Sequence, residues 1–140
     1  MAAIEVSEVF ASAMALMDEL NETGSAQTAN TAEYARRTPG ILNTLLGEYR
    51  IRTGNARDFT QLESTSDTIT GVDAPFMRAV LPYGLAAHLL TDENPPAASF
   101  YQQRYEELLG LFIRRQPAEA EPIEDVYGVC SHPYNGFARW

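Results

Sequence analysis

The chain has 140 residues, 19 of them acidic and ten basic, for a formal net charge of −9; all ten basic residues are arginine. The length suits one domain with a real core, and 45% hydrophobic with 21% charged residues is an ordinary globular composition. The acidity argues against a domain that grips phosphate backbones, which needs clustered positive charge. It leaves room for a protein that surrounds nucleic acid without holding it.

The first periodic segment covers residues 6–21. Val6, Phe10, Ala13, Met17 and Leu20 recur at three- and four-residue steps, and Val9, Met14 and Leu16 widen the stripe. Ser7 is the expected N-cap, with Glu8 just inside, and Asn21 with Gly24 closes the helix. A second helix starts at Asn30 or Thr31, where Asn30 and Glu33 approximate a capping box. Its apolar face is Tyr34, Ile41, Leu42, Leu45, Leu46 and Tyr49, and it ends at Thr53-Gly54-Asn55. Pro39 lies inside this pattern, so either Thr38 caps a fresh helix or one helix kinks there.

Residues 55–72 are polar, with sparse apolar positions at Phe59, Leu62, Ile69 and Val72. Alternation through Asp67, Thr68, Ile69 and Thr70 predicts a short strand. Most connections run ~4–6 residues, so a loop of this length is a candidate contact surface. The third helix, capped by Asp73 and carrying Pro75 in its first turn, is apolar around most of its circumference. It is expected to be the central element, kinked at Pro82, with Gly84 offering close helix approach. Asn94-Pro95-Pro96 opens a fourth helix whose stripe is Ala98, Tyr101, Tyr105, Leu108, Leu109, Phe112 and Ile113.

The expected fold class is therefore all-α, a bundle of about four helices with one long loop and an extended C-terminal tail. Residues 1–116 form the helical domain, with the long loop at 55–72, and 117–140 form the tail. Prolines and acidic residues open that tail, yet it ends rich in aromatics, which a free disordered segment is not. Val126, Tyr127, Tyr134, Phe137, Arg139 and Trp140 are its candidate partner-binding residues, being of types that anchor interfaces.

Catalytic signatures are missing from the sequence. There is no glycine-rich phosphate loop, no nucleophile elbow and no His-Glu-x-x-His pattern. Cys130 and His132 are the only soft-ligand pair, short of the four ligands of a structural zinc site. His88 reads as a satisfied core or interface histidine. The pairs Asp18-Glu19, Asp92-Glu93 and Glu106-Glu107 read as solvated faces or caps. Met14, Met17 and Met77 read as core filler. One cysteine, an acidic N-terminus and no apolar run near ~18 residues point to a soluble, intracellular protein. No catalytic residue, metal or cofactor is expected.

Three stretches carry a resemblance: 31–48 (TAEYARRTPGILNTLLGE), 79–90 (AVLPYGLAAHLL) and 98–109 (ASFYQQRYEELL). Together they resemble the head–tail connector (adaptor) proteins of tailed bacteriophages and prophages, which share a helical bundle with a long strand-bearing loop. The resemblance covers residues 6–112 and rests on helix-and-kink patterns, with no catalytic motif. It implies a homo-oligomeric ring beneath the portal protein, a monomer when alone, which extends the DNA channel and faces a tail or stopper protein. It implies a virion-neck location, reached from the host cytoplasm during assembly; the acidity and the lack of a long apolar run add the expectation of no tight nucleic-acid binding and no membrane. By position, residues 123–140 would clasp the portal, and Phe59, Leu62, Ile69 and Val72 would supply loop contacts. The alternative is a small phage-encoded regulator that binds a host or phage protein through the same tail.

Overall fold

The computed structural model describes residues 3–54 and 60–115. In chain order these form β1 (Ile4–Glu5), α1 (Val6–Leu16), α2 (Ala32–Thr53), β2 (Thr68–Ile69), α3 (Leu81–Leu89) and α4 (Pro95–Arg115). The domain is predominantly helical, with four α-helices and a small two-stranded sheet among the described residues. The strands β1 and β2 run antiparallel, pairing Ile4 with Ile69 and Glu5 with Thr68. No helix of the described residues is long and apolar enough to cross a membrane.

Helix α1 is shorter than its periodicity predicts. It stops at Leu16 because Asp18 adopts a left-handed conformation, φ 59°. Asp18 N–H then bonds Ala15 O at 3.3 Å and Glu19 N–H bonds Met14 O at 2.9 Å. This is a Schellman closure built on aspartate where glycine is usual. The start differs too: Glu5 is the N-cap, and Ser7 lies inside the helix. Glu8 accepts the Glu5 N–H at 3.0 Å, half of a capping box.

Helix α2 has Thr31 at its N-cap, one of the two expected starts, and follows a 3₁₀ turn, Ala29–Thr31, that is itself capped at Thr28. Thr31 Oγ1 accepts the Thr28 N–H at 3.0 Å and donates to Ala26 O at 2.6 Å. The helix then continues through Pro39, whose ring is buried, and ends at Gly54 with φ 66°. That left-handed position is one that glycine adopts without steric penalty.

The approach to α3 is a π-helical turn, Phe76–Val80, in which Leu81 N–H reaches back five residues to Phe76 O. Pro82 follows in the first turn of α3, where its missing N–H is tolerated. The predicted helix is thus one unbroken helical element over 74–89, whose irregularity is the wide turn Phe76–Val80 ahead of Pro82. Leu81, Leu85, Ala86 and Leu89 are each at most 1% exposed, so α3 is the centre of the domain. It packs against α1, α2 and α4.

Gly84 permits that packing. A β-carbon there would lie 3.0 Å from two Tyr105 ring carbons and 3.1 Å from Leu45 Cδ1. Gly47, mid-way along α2, has nothing within 4 Å of the same position. Gly84→Ala should therefore lose about 1–3 kcal/mol by overpacking. Gly47→Ala should gain about 0.5–1 kcal/mol by restricting the unfolded chain. Urea denaturation of the two variants, with opposite signs expected, checks the close approach of α3, α4 and α2.

Candidate functional site

The long loop is fastened to the bundle. Leu62, Ile69 and Val72 are 5%, 2% and 0% exposed and belong to the core. These residues, expected as outward loop contacts, instead pack inward, because a loop this long closes with few local bonds and needs apolar anchors. Asn43 on α2 holds it by a two-way amide bridge. Its Nδ2 donates to Leu62 O, and its Oδ1 accepts the Leu62 N–H, both at 2.9 Å. Phe59, the fourth expected loop contact, lies outside the described residues.

The end of the loop serves α1. Val6 N–H donates to Asp67 O at 2.9 Å and Ser7 N–H to Thr65 O at 2.8 Å. These are donors that a helix N-terminus leaves without internal partners. The supporting turn is organised by the Asp67 carboxylate, which accepts the Glu63 and Ser64 N–H groups at 2.7 and 2.9 Å. Those two backbone bonds hold the Asp67 carboxyl below its ordinary value. What the loop offers outward is polar: Thr60, Gln61, Glu63, Ser64 and Ser66 are exposed.

Two tyrosines join distant elements through carboxylates. Tyr34 on α2 donates its hydroxyl to Glu93, in the turn between α3 and α4. That hydrogen bond, with burial, pushes the Tyr34 phenol up to about 12. Tyr105 on α4 is fully buried, and its hydroxyl donates to Glu48 Oε2 at 3.5 Å. Burial first, then the Glu48 charge, raises its phenol well above the ordinary range. A third, Tyr101, donates to Leu16 O at 2.7 Å and satisfies the last turn of α1.

The surface has two open grooves of note. One, of about 410 Å³, runs between the ends of α3 and α4 and contains His88, Thr91, Gln102, Gln103 and Glu106. His88 is exposed there, which rules out the core place among the two expected for it, core or interface, because its position on α3 faces water. The other, of about 480 Å³, lies between α1, α3 and α4. Its floor is Ala15, Leu16, Ala79, Pro82 and Leu108, and Ser12, Tyr83, Arg78 and Arg104 also line it. The Arg104 guanidinium stands 5.8 Å from the Tyr83 ring centroid, and its Nη1 is 3.3 Å from Glu107 Oε2. Sequence reasoning missed this groove, since no local pattern announces that Arg78 and Arg104 meet across two helices.

The paired acids stand as surface and cap residues. Glu106 and Glu107 accept from Gln102 and Gln103 one turn away. Phe100 and Leu111 are 59% and 46% exposed on one side of α4. Met14 and Met77 are buried in the core. Among the described residues no three His, Cys, Asp or Glu side chains gather as metal ligands would. Cys130, His132, Val126, Tyr127, Tyr134, Phe137, Arg139 and Trp140 lie outside the described residues. Comparison of the chain with protein-family models, curated proteins and solved structures finds no match.

Two expectations follow. Asn43→Ala strands the Leu62 amide, so it should lose about 1–3 kcal/mol and speed protease cleavage between residues 60 and 72. The Tyr34 phenol, raised from 10.0 to about 12, adds stability that is complete below pH 10 and fades as pH rises through about 12. Glu93→Gln should remove most of that dependence, read as a smaller loss of unfolding free energy over the same alkaline window.

Proposed function

We propose that the chain is a non-enzymatic structural protein, a head–tail connector of a tailed phage or prophage. In this reading it forms a ring beneath the portal, extends the DNA channel and meets a tail or stopper protein. It works in the virion neck and is assembled in the host cytoplasm. The observation that carries the reading is the architecture together with the three resembling stretches. A helical bundle with a long strand-bearing loop is the arrangement the resemblance implies, and this domain has four helices and a loop that carries β2. The chemistry is compatible: a conduit for DNA should not bind phosphate, and a chain of net charge −9 repels a polyanion. The described surface is one of shallow open grooves and exposed apolar side chains such as Phe100 and Leu111, better suited to protein contacts than to enclosing a small substrate.

Co-expression with the portal protein encoded in the same genome tests the reading. A ring seated on the portal, seen by electron microscopy and weakened by Phe137→Ser with Trp140→Ser, is the expected result. Failure of the full chain to co-assemble with the portal overturns it. Co-purification of a host protein in place of the portal would identify the regulator instead.

A further inference from the structure

The groove between α1, α3 and α4 combines an apolar floor with two arginines, in a protein where cations are scarce. Arg78 is exposed and has no acidic partner among the described residues, and Arg104 is paired only at the rim, with Glu107. The described residues end at Arg115, on the helix that forms one wall of this groove. Beyond that point the sequence places Glu119, Glu121, Glu124 and Asp125 close together, followed by Val126 and Tyr127, with no cation until Arg139.

We propose that this groove is the docking site of the chain's own residues 121–127. In an extended chain Glu121, Ile123, Asp125 and Tyr127 share one face, so Glu121 and Asp125 meet Arg78 and Arg104 while Ile123 and Tyr127 cover the floor of Ala15, Ala79 and Leu108. The reach decides which residues serve. Arg104 lies about 16 Å back along α4 from Arg115 at ~1.5 Å per residue. An extended chain advances ~3.3 Å per residue, so its backbone comes level with Arg104 about five residues past Arg115, just before Glu121. Short reach also favours the chain's own segment over that of a second copy, because a tethered segment is present at high effective concentration. Charge complementarity sets the register, and the apolar contacts supply the affinity. This docking is independent of whether the chain binds a portal.

The full chain carries its own probe site, since Cys130 is the only cysteine. A nitroxide attached there should erase amide signals of Ala15, Ala79 and Leu108 in ¹⁵N spectra, while sparing α2, which contributes nothing to the groove. Arg78→Glu with Arg104→Glu should restore those signals, and adding Glu121→Arg with Asp125→Arg should erase them again. The tail pair alone, which leaves the helical domain untouched, must also restore them and decides the matter if the domain variant fails to fold. Groove signals unaffected in the unmodified chain, or lost regardless of either charge reversal, overturn the proposal. So does loss of signal when the label and the ¹⁵N are carried by different molecules, which would assign the groove to a second copy.

Discussion

A helix that is apolar around most of its circumference has to be covered on those sides, and α3, open to water only at His88 and Tyr83, imposes that requirement on everything else. Leu81, Leu85 and Leu89 are each at most 1% exposed, and Pro82, Gly84, Ala86 and Ala87 fill the spaces between them. Fully burying one such leucine is worth about 1.5–3 kcal/mol, so leaving any apolar side of α3 open would be expensive. The three covering helices therefore have defined places, and the close contacts are made where side chains are smallest. Tyr105 lies over Gly84, and its hydroxyl turns to Glu48 on α2. One aromatic thereby packs against α3 and ties α4 to α2.

The proline in this central helix is accommodated, not merely endured. An uninterrupted α-helix through Pro82 would set its ring against the carbonyl of the preceding turn. The wide turn Phe76–Val80 removes the conflict and places Phe76 in a cluster with Tyr49 and Phe112, at centroid separations of 4.5–6.2 Å. Tyr49 also donates to Asp73 Oδ2 at 3.2 Å, just ahead of that turn. The aromatic cluster thus joins α2, the entry to α3 and the end of α4.

The loop and the N-terminus solve each other's hydrogen-bonding problem. The first N–H groups of α1 need acceptors, and a long polar loop needs a place to end. Thr65 and Asp67 carbonyls meet both needs, and the Ile4–Ile69 pair buries the contact. The consequence for function is a division of labour on the surface. The loop presents polar groups, whereas the groove between α1, α3 and α4 combines apolar side chains with Arg78 and Arg104.

Four helices were legible in the sequence because apolar spacing is a local signal, and the ends at Gly54 and Asn94-Pro95 were legible because glycine and proline act locally. The strand at Thr68–Ile69 was legible from its alternation, but its partner Ile4–Glu5 was not, since two residues carry no period. The end of α1 was hidden because Asp18 takes a glycine's conformation. The inward turn of Leu62 and Ile69 was hidden because their partners, Asn43 and Ile4, are far away in the chain. Sequence by itself thus determined which segments are helical, that α3 lies at the centre and that the chain is strongly acidic. Only the tertiary structure decided how the loop is fastened, where Pro82 is absorbed and that Arg78 and Arg104 share a groove. Each of those depends on groups meeting across different elements, and packing, not local preference, brings them together.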